Sequence, residues 1–423
     1  MTFYAPSIKG VFYMSYVLNL ICRECGAEYP TQPLNVCEFC FGPLEVQYDF
    51  DQIKNKVSRK TISNGPNSMW RYSQFLPVDI ENSIDIGTGF TPLIHAKNLG
   101  KQLGLDYLYI KNDSVNPTFS FKDRPVAITT SKALEFGFEV LACVSTGNLM
   151  GSVAAHGSKA NLDTYVFYPQ DLEVSKIFGA AVYGSKMIAI EGNYDDANRF
   201  CSELSDIYPW AFVNINMRPF YAEGSKTLGY EIVEQLGWKA PDHCVVPGAS
   251  GELHTKVWKG IQEFIDCELI ENSIPKMHLA QPEGCSPISS AFKSKSRQIQ
   301  PVKPSTIAKS LAIGNPASGP FSIDVLNQTH GSAEIAAEDT IIDSIKLLAE
   351  TEGIFTETAG GVVISSLKEL VTKGKIKKDE TVVAFITGNG LKTLESMGEI
   401  KENTVSCMPN ISSFDRVKSN FKF

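Results

Sequence analysis

Short apolar runs recur along most of this chain, separated by amphipathic stretches and by loops rich in glycine and hydroxyl residues. From residue 86 onward, "YLYIK" (107–111), "VLACVS" (140–145), "TYVFYP" (164–169), "MIAIEG" (187–192), "AFVNIN" (211–216) and "TVVAFITGNG" (381–390) read as strands. Between them, "PVAITTSKALEFG" (125–137) and "GSVAAHGSKA" (151–160) read as helices. Apolar strands alternating with amphipathic helices predict an α/β fold with mainly parallel sheets. In such sheets ligands gather where strand ends lead into helices. The unusual loops fall there: "STGN" after "VLACV", "GASGEL" after "CVVP" and "TGNGLK" after "VVAFI".

The pattern also divides the chain. Residues 1–20 form an N-terminal extension. Residues 21–50 carry two CxxC pairs among turns and short alternating strands, as in a small zinc-ribbon-like module. Residues 51–85 look like a polar linker that gains aromatic residues towards "MWRYSQFLPV". An α/β body spans 86–400, with a smaller subdomain expected at about 125–210 and a larger one in the remainder, and residues 401–423 form a tail. The apolar stretch "GVFYMSYVLNLIC" is too short to span a bilayer and lacks a cleavage signature, so it reads as neither anchor nor signal peptide. Met14 offers an alternative start that would place residues 1–13 outside the protein.

Composition narrows the classes. The 423 residues are 43% hydrophobic and 20% charged, as in globular proteins built from two or three units. A net charge of −8 argues against nucleic acid as the main partner. No membrane partner is indicated, and a homo-oligomer is compatible with the sequence. Six of the ten cysteines are scattered, which fits a reducing compartment and a cytoplasmic location. The other four, Cys22, Cys25, Cys37 and Cys40, form CxxC-x11-CxxC. That spacing places four thiolates around one tetrahedral ion, as in structural zinc sites, and leaves no open position for catalysis. The plainer alternative is a ribbon that packs without metal.

Several residues admit two readings. Lys122, in "NPTFSFKDRP", is either a solvated lysine at a helix start or an amine held against Phe119 and Phe121 for reaction with an aldehyde. Ser145, Thr146 and Asn148 either cap a helix or bind a carboxylate or phenolic oxygen. Gly248, Ala249, Ser250, Gly251 and Glu252 make either a tight turn or a cradle of N–H groups for phosphate, with Glu252 unwelcome unless its side chain turns away. Thr387 either belongs to an ordinary turn or bonds a ring nitrogen. His156 reads as a packed helix residue rather than a base.

Taken together and in order, "NPTFSFKDR", "STGN", "MRPFYAEGSKTLGYEIVEQLGW", "KPSTIAKSLAIGNP", "EGIFTETAGG" and "TGNGLKT" resemble the threonine synthases of the pyridoxal-phosphate fold-type II (tryptophan-synthase β-like) family. The leading "CRECGAEYP…CEFCFGPLEVQYDF" does so too, and the resemblance covers about residues 20–395. It implies two open, mainly parallel sheet domains and a lyase that converts O-phospho-L-homoserine and water to L-threonine and phosphate. Within it, Lys122 would bond the cofactor covalently and act as the base. Asn148 would bond the cofactor's 3′-oxygen, Gly248–Glu252 its phosphate and Thr387 its ring nitrogen. Ser145 and Thr146 would hold the substrate carboxylate, and Arg218 and Lys226 its phosphate. The alternative within the same fold is a threonine or serine ammonia-lyase. The chain departs from the commoner pattern at Phe119, where glycine is frequent, at Leu149, where threonine is frequent, and in "GASGE", where a GNGGN-like loop is usual.

Overall fold

The structure is a computed structural model that describes residues 16–170, 172, 174–192, 194–398 and 405–418. Most of the expected extension, including the alternative start at Met14, lies outside the described residues, as does part of the tail.

The cysteine-bearing segment folds as a three-stranded antiparallel sheet of β1 (Val17–Cys22), β2 (Glu28–Tyr29) and β3 (Leu44–Tyr48), in the order β2-β1-β3. Its alternating burial sends Leu44, Val46 and Tyr48 inward against the body, as a half-buried strand requires. The next segment is not a linker. It forms the helices Phe50–Lys56 and Arg59–Ser63 and the 3-10 stretch Met69–Phe75, whose Met69, Trp70, Tyr72 and Phe75 are buried. Arg71 in that stretch pairs with Glu234 at 2.7 Å, so a charge that reads as linker-like has a partner 163 residues away.

The body continues with β4 (Leu93–His95) and β5 (Tyr107–Asn112), then β6 (Val140–Val144), β7 (Asp163–Pro169), β8 (Lys186–Ile190) and β9 (Ala211–Phe212). It ends with β10 (His243–Pro247), β11 (Lys276–Pro282), β12 (Ala333–Ala336) and β13 (Thr381–Ile386). Strands β6–β9 make a four-stranded parallel sheet in the order β8-β7-β6-β9. The others make a six-stranded sheet, β12-β11-β10-β13-β5-β4, parallel except for the edge pair β4–β5. Central strands such as β10 are buried at every residue because helices cover both faces.

The run at 211–216 is a strand for two residues only. The Asn214 side chain accepts from the Val144 N–H (3.4 Å) and donates to the Val144 carbonyl (3.2 Å), and Asn216 accepts from the Phe212 N–H (2.9 Å). These amides bond the backbone where ladder bonds would otherwise run.

Candidate active site

The carboxyl ends of β6, β10 and β13 open onto one cavity of about 430 Å³. A second depression, about 530 Å³ around Arg297–Ile299 and Asn315–Ala317, contains none of the candidate residues. Lys122 reaches the first cavity from the loop before the helix Asp123–Glu135. That loop is stitched to the end of β13. The Phe121 N–H donates to the Thr387 carbonyl at 2.9 Å, and the Asn389 N–H donates to the Phe119 carbonyl at 3.1 Å. Lys122 and Thr387 are thereby fixed as neighbours. Phe119 has φ of +61°, the left-handed region that glycine enters at less cost, so the departure from glycine is conformationally expensive.

The Lys122 amine donates to the Tyr221 hydroxyl at 2.8 Å and lies 4.6 Å from the centre of the Phe121 ring. Asn148 opens the helix Asn148–Lys159, and its amide donates to both oxygens of Glu357 at 3.0 and 2.9 Å. Burial raises the pKa of Glu357, opposed chiefly by that hydrogen bond. Ser145, Thr146 and Thr387 line the same cavity. The Ser145 hydroxyl accepts from the Gly147 N–H at 3.1 Å.

Ala249, Ser250, Gly251 and Glu252 form the opposite wall, between β10 and the helix Glu252–Asp266. The N–H groups of Ala249, Ser250 and Gly251 find no acceptor among the described residues, as a phosphate cradle requires. Gly251 has φ of +86°, and a Cβ there would sit 2.8 Å from the Ser318 carbonyl, so this position needs glycine. Glu252 turns its carboxylate to the Ser318 hydroxyl. Burial would raise its pKa, but Lys256, Arg23 and Arg218 more than offset that and lower it.

Three sequence expectations change. Gly248 is no cradle donor: its N–H is taken by the Ala280 carbonyl at 2.8 Å, and it lies under the loop against Leu279. Lys226 does not line the cavity. It is fully buried, paired with Glu223 (2.7 Å) and Glu263 (3.1 Å), and lies 4.0 Å over the Tyr48 ring. Arg218 begins the helix Arg218–Gly224 beside Glu252 and does not line the cavity. His156 is a packed residue, its Nδ1 2.9 Å from the Ser152 carbonyl and its pKa lowered by burial. Tyr221 and Glu357, by contrast, had no assigned role. Both lie within stretches that resemble the family, but their contacts span 99 and 209 residues, so no local signal marks them.

Outside the cavity, the sulfurs of Cys22, Cys25, Cys37 and Cys40 all lie within 4.8 Å of one another, with Cys22–Cys40 at 3.4 Å and Cys25–Cys37 at 3.6 Å. A tetrahedral ion with metal–sulfur bonds of about 2.3 Å has sulfur–sulfur edges of about 3.8 Å, so the cluster is suited to one metal ion.

The family model described as pyridoxal-phosphate dependent enzyme matches residues 84–388. The threonine synthase of Methanocaldococcus jannaschii is 37% identical over 400 residues, covering 94% of this chain and 98% of that protein. That of Methanosarcina acetivorans is 36% identical over 398 residues, covering 93% and 97%. Among solved structures, a fungal L-serine ammonia-lyase from Rhizomucor miehei superposes with a TM-score of 0.63 at 20% identity, over 76% of this chain and 100% of that one. Threonine deaminase isoform 2 from Solanum lycopersicum gives 0.62 at 23%, over 73% and 83%. At such identities these structures speak for the fold alone. With the cavity built at the strand ends and these relatives spanning nearly the whole chain, the protein belongs to the pyridoxal-phosphate-dependent enzymes and, within them, to the threonine synthase family.

Proposed function

We propose that this protein converts O-phospho-L-homoserine and water to L-threonine and phosphate, and that residues 86–400 carry the reaction. The reading rests above all on the convergence of Lys122, Asn148 and Thr387 on one cavity in a chain whose full-length relatives are named threonine synthases.

The residues fit the cofactor. The N–H groups of Ala249, Ser250 and Gly251 have no acceptor among the described residues, and the Lys122 amine donates to the Tyr221 hydroxyl. Lys122 would hold pyridoxal phosphate covalently, Ala249–Gly251 its phosphate, Asn148 its ring oxygen and Thr387 its ring nitrogen. When bound, the cofactor supplies a conjugated ring that draws electron density from the substrate carbons being deprotonated. When not bonded to the cofactor, Lys122 Nζ would take the proton from Cα, and the Tyr221 hydroxyl orients that amine. Ser145 and Thr146 bind the substrate carboxylate. Phe121, Leu149 and Leu172 form an apolar wall that limits water around the reacting carbons.

Incubating the purified holoenzyme with O-phospho-L-homoserine should release phosphate and L-threonine in equal amounts. Ammonia and a keto acid in their place would favour the ammonia-lyase alternative.

The cysteine cluster is assigned to one structural zinc, supported by its spacing and its sulfur–sulfur distances. Protein purified without chelator should carry one zinc per chain; a metal-free, folded module would refute the assignment. A cytoplasmic location agrees with ten cysteines none of which forms a disulfide among the described residues. Among the described residues no helix is long and apolar enough to cross a membrane.

A further inference from the structure

An asparagine side chain fits a site with either end forward, because its carbonyl and amino groups have nearly the same shape. For Asn148, assigned above to the cofactor's ring oxygen, the two ends are not equivalent. A ring oxygen that has lost its proton needs the amino end, and the carbonyl end would repel it. Something beside Asn148 must therefore choose the orientation.

Glu357 is placed to choose it. Its two oxygens accept from the Asn148 amino group at 3.0 and 2.9 Å. An ionised carboxylate only accepts, so it keeps the amino end forward and disfavours the flipped amide. An amino group carries two hydrogens. One serves the carboxylate, and the other remains for an acceptor in the cavity that both residues line.

The carboxylate is itself held firmly. Glu357 is 3% exposed and stands immediately before the helix Thr358–Thr372. Its N–H donates to the Gly388 carbonyl at 3.0 Å, and the Thr356 hydroxyl donates to the same carbonyl at 3.1 Å. The Gly390 N–H in turn donates to the Phe355 carbonyl at 3.0 Å. Residues 355–357 are thereby bonded to the loop after β13, the loop that also holds the Lys122 segment. A Cβ on Gly388 would overlap the Glu357 carboxyl group, so the glycine after Thr387 is what admits the carboxylate. Asn148, by contrast, follows β6 of the four-stranded sheet. Their bond spans the cavity and ties Asn148 to the segments that carry Lys122 and Thr387. Burying an acid is costly, and a glutamine would fill the same space without the charge, so packing alone does not account for Glu357.

We propose that Glu357 is a positioning residue for the cofactor: it locks the Asn148 amide so that Asn148 donates to the cofactor's ring oxygen and cannot turn its carbonyl there. The proposal rests on the cofactor assignment above and holds equally for a synthase or an ammonia-lyase.

The test titrates the full-length chain, stripped of cofactor, with pyridoxal phosphate and follows visible absorbance. The unaltered protein comes first; failure to form a yellow one-to-one adduct would defeat the cofactor assignment itself, independently of Glu357. Given an adduct, Glu357→Gln keeps the shape but can face either end of the amide. It should weaken cofactor binding about 10-fold and shift the absorbance maximum, with the melting temperature of the cofactor-free protein unchanged. Asn148→Ala should lose at least as much. Adding Glu357→Gln to Asn148→Ala should cost no more than about a further twofold, because Glu357 acts through Asn148. Unaltered affinity and absorbance in Glu357→Gln would overturn the proposal, as would losses that simply multiply in the double variant. A fall in cofactor-free melting temperature that accounts for the weaker binding would overturn it too, by assigning Glu357 to the scaffold.

Discussion

One short helix, Arg218–Gly224, faces two regions that use charge in opposite ways. On one side Tyr221 reaches the Lys122 amine in the cavity. On the other, Glu223 joins Lys226, Lys256, Lys259 and the Tyr48 hydroxyl in a buried cluster. Residues two apart on a helix are about 200° apart around its axis, so adjacent side chains serve different regions. In the cluster every lysine named has carboxylate partners, and it ties the cysteine module to the body through Glu45 and Tyr48. In the cavity, the lysine has a neutral phenol. A buried cation matched by carboxylates is scaffold, whereas a cation that donates to an uncharged acceptor and borders open space can serve a ligand.

The sharpest test of this contrast is Lys122→Ala. It should abolish covalent cofactor attachment and lower kcat/KM by more than about a thousandfold, since loss of a general base alone costs about 10²–10⁴. Its melting temperature should change little. Lys226→Ala should do the reverse, lowering unfolding free energy by about 3 kcal/mol while KM in the folded protein is unchanged. The cost should stay near the low end of the usual range because burial already raises the pKa of Glu263, which can take up a proton. A comparable fall in stability for both variants would erase the distinction.

A second scaffold cluster gives a pH test. Burial would raise the pKa of Glu231, but Arg124 and Lys111 hold it at about 2. A carboxylate depressed in the folded state contributes stability above its unfolded pKa and loses it as pH falls towards the folded value. Unfolding free energy should therefore drop by up to about 3 kcal/mol between about pH 5 and pH 2. Glu231→Gln, though less stable at neutrality, should show a shallower acid limb in denaturant titrations at each pH. The smallest expected effect is at Tyr221→Phe, which keeps the ring and removes the hydroxyl. It should lower kcat about 3- to 10-fold with cofactor retained; loss of cofactor would make Tyr221 a binding residue instead.

Much of the architecture was legible because strand burial is local. "VLACV" and "TVVAFI" are apolar on both faces, and such runs become covered parallel strands wherever they occur. The run at 211–216 failed because Asn214 and Asn216 bond the backbone through their own amides, a choice that apolar periodicity does not register. The segment 51–85 failed because its polar residues have distant partners, among them Glu234 for Arg71. Lys226 was misplaced for the same reason: a lysine in a substrate-like motif and a lysine in a buried ion cluster have the same local sequence.

From the residues alone came the α/β alternation, the loops at the strand ends and the spacing of four cysteines, because each depends on neighbours within a few residues; the choice of Lys122 over a solvated lysine came from the resemblance carried by the ordered motifs. The fold decided which lysines are neutralised by carboxylates, that Tyr221 and Glu357 enter the cavity, and that Gly248 lies beneath its loop. Those outcomes depend on pairings between residues tens to hundreds of positions apart, and burial and partner choice at that range are properties of packing rather than of local pattern.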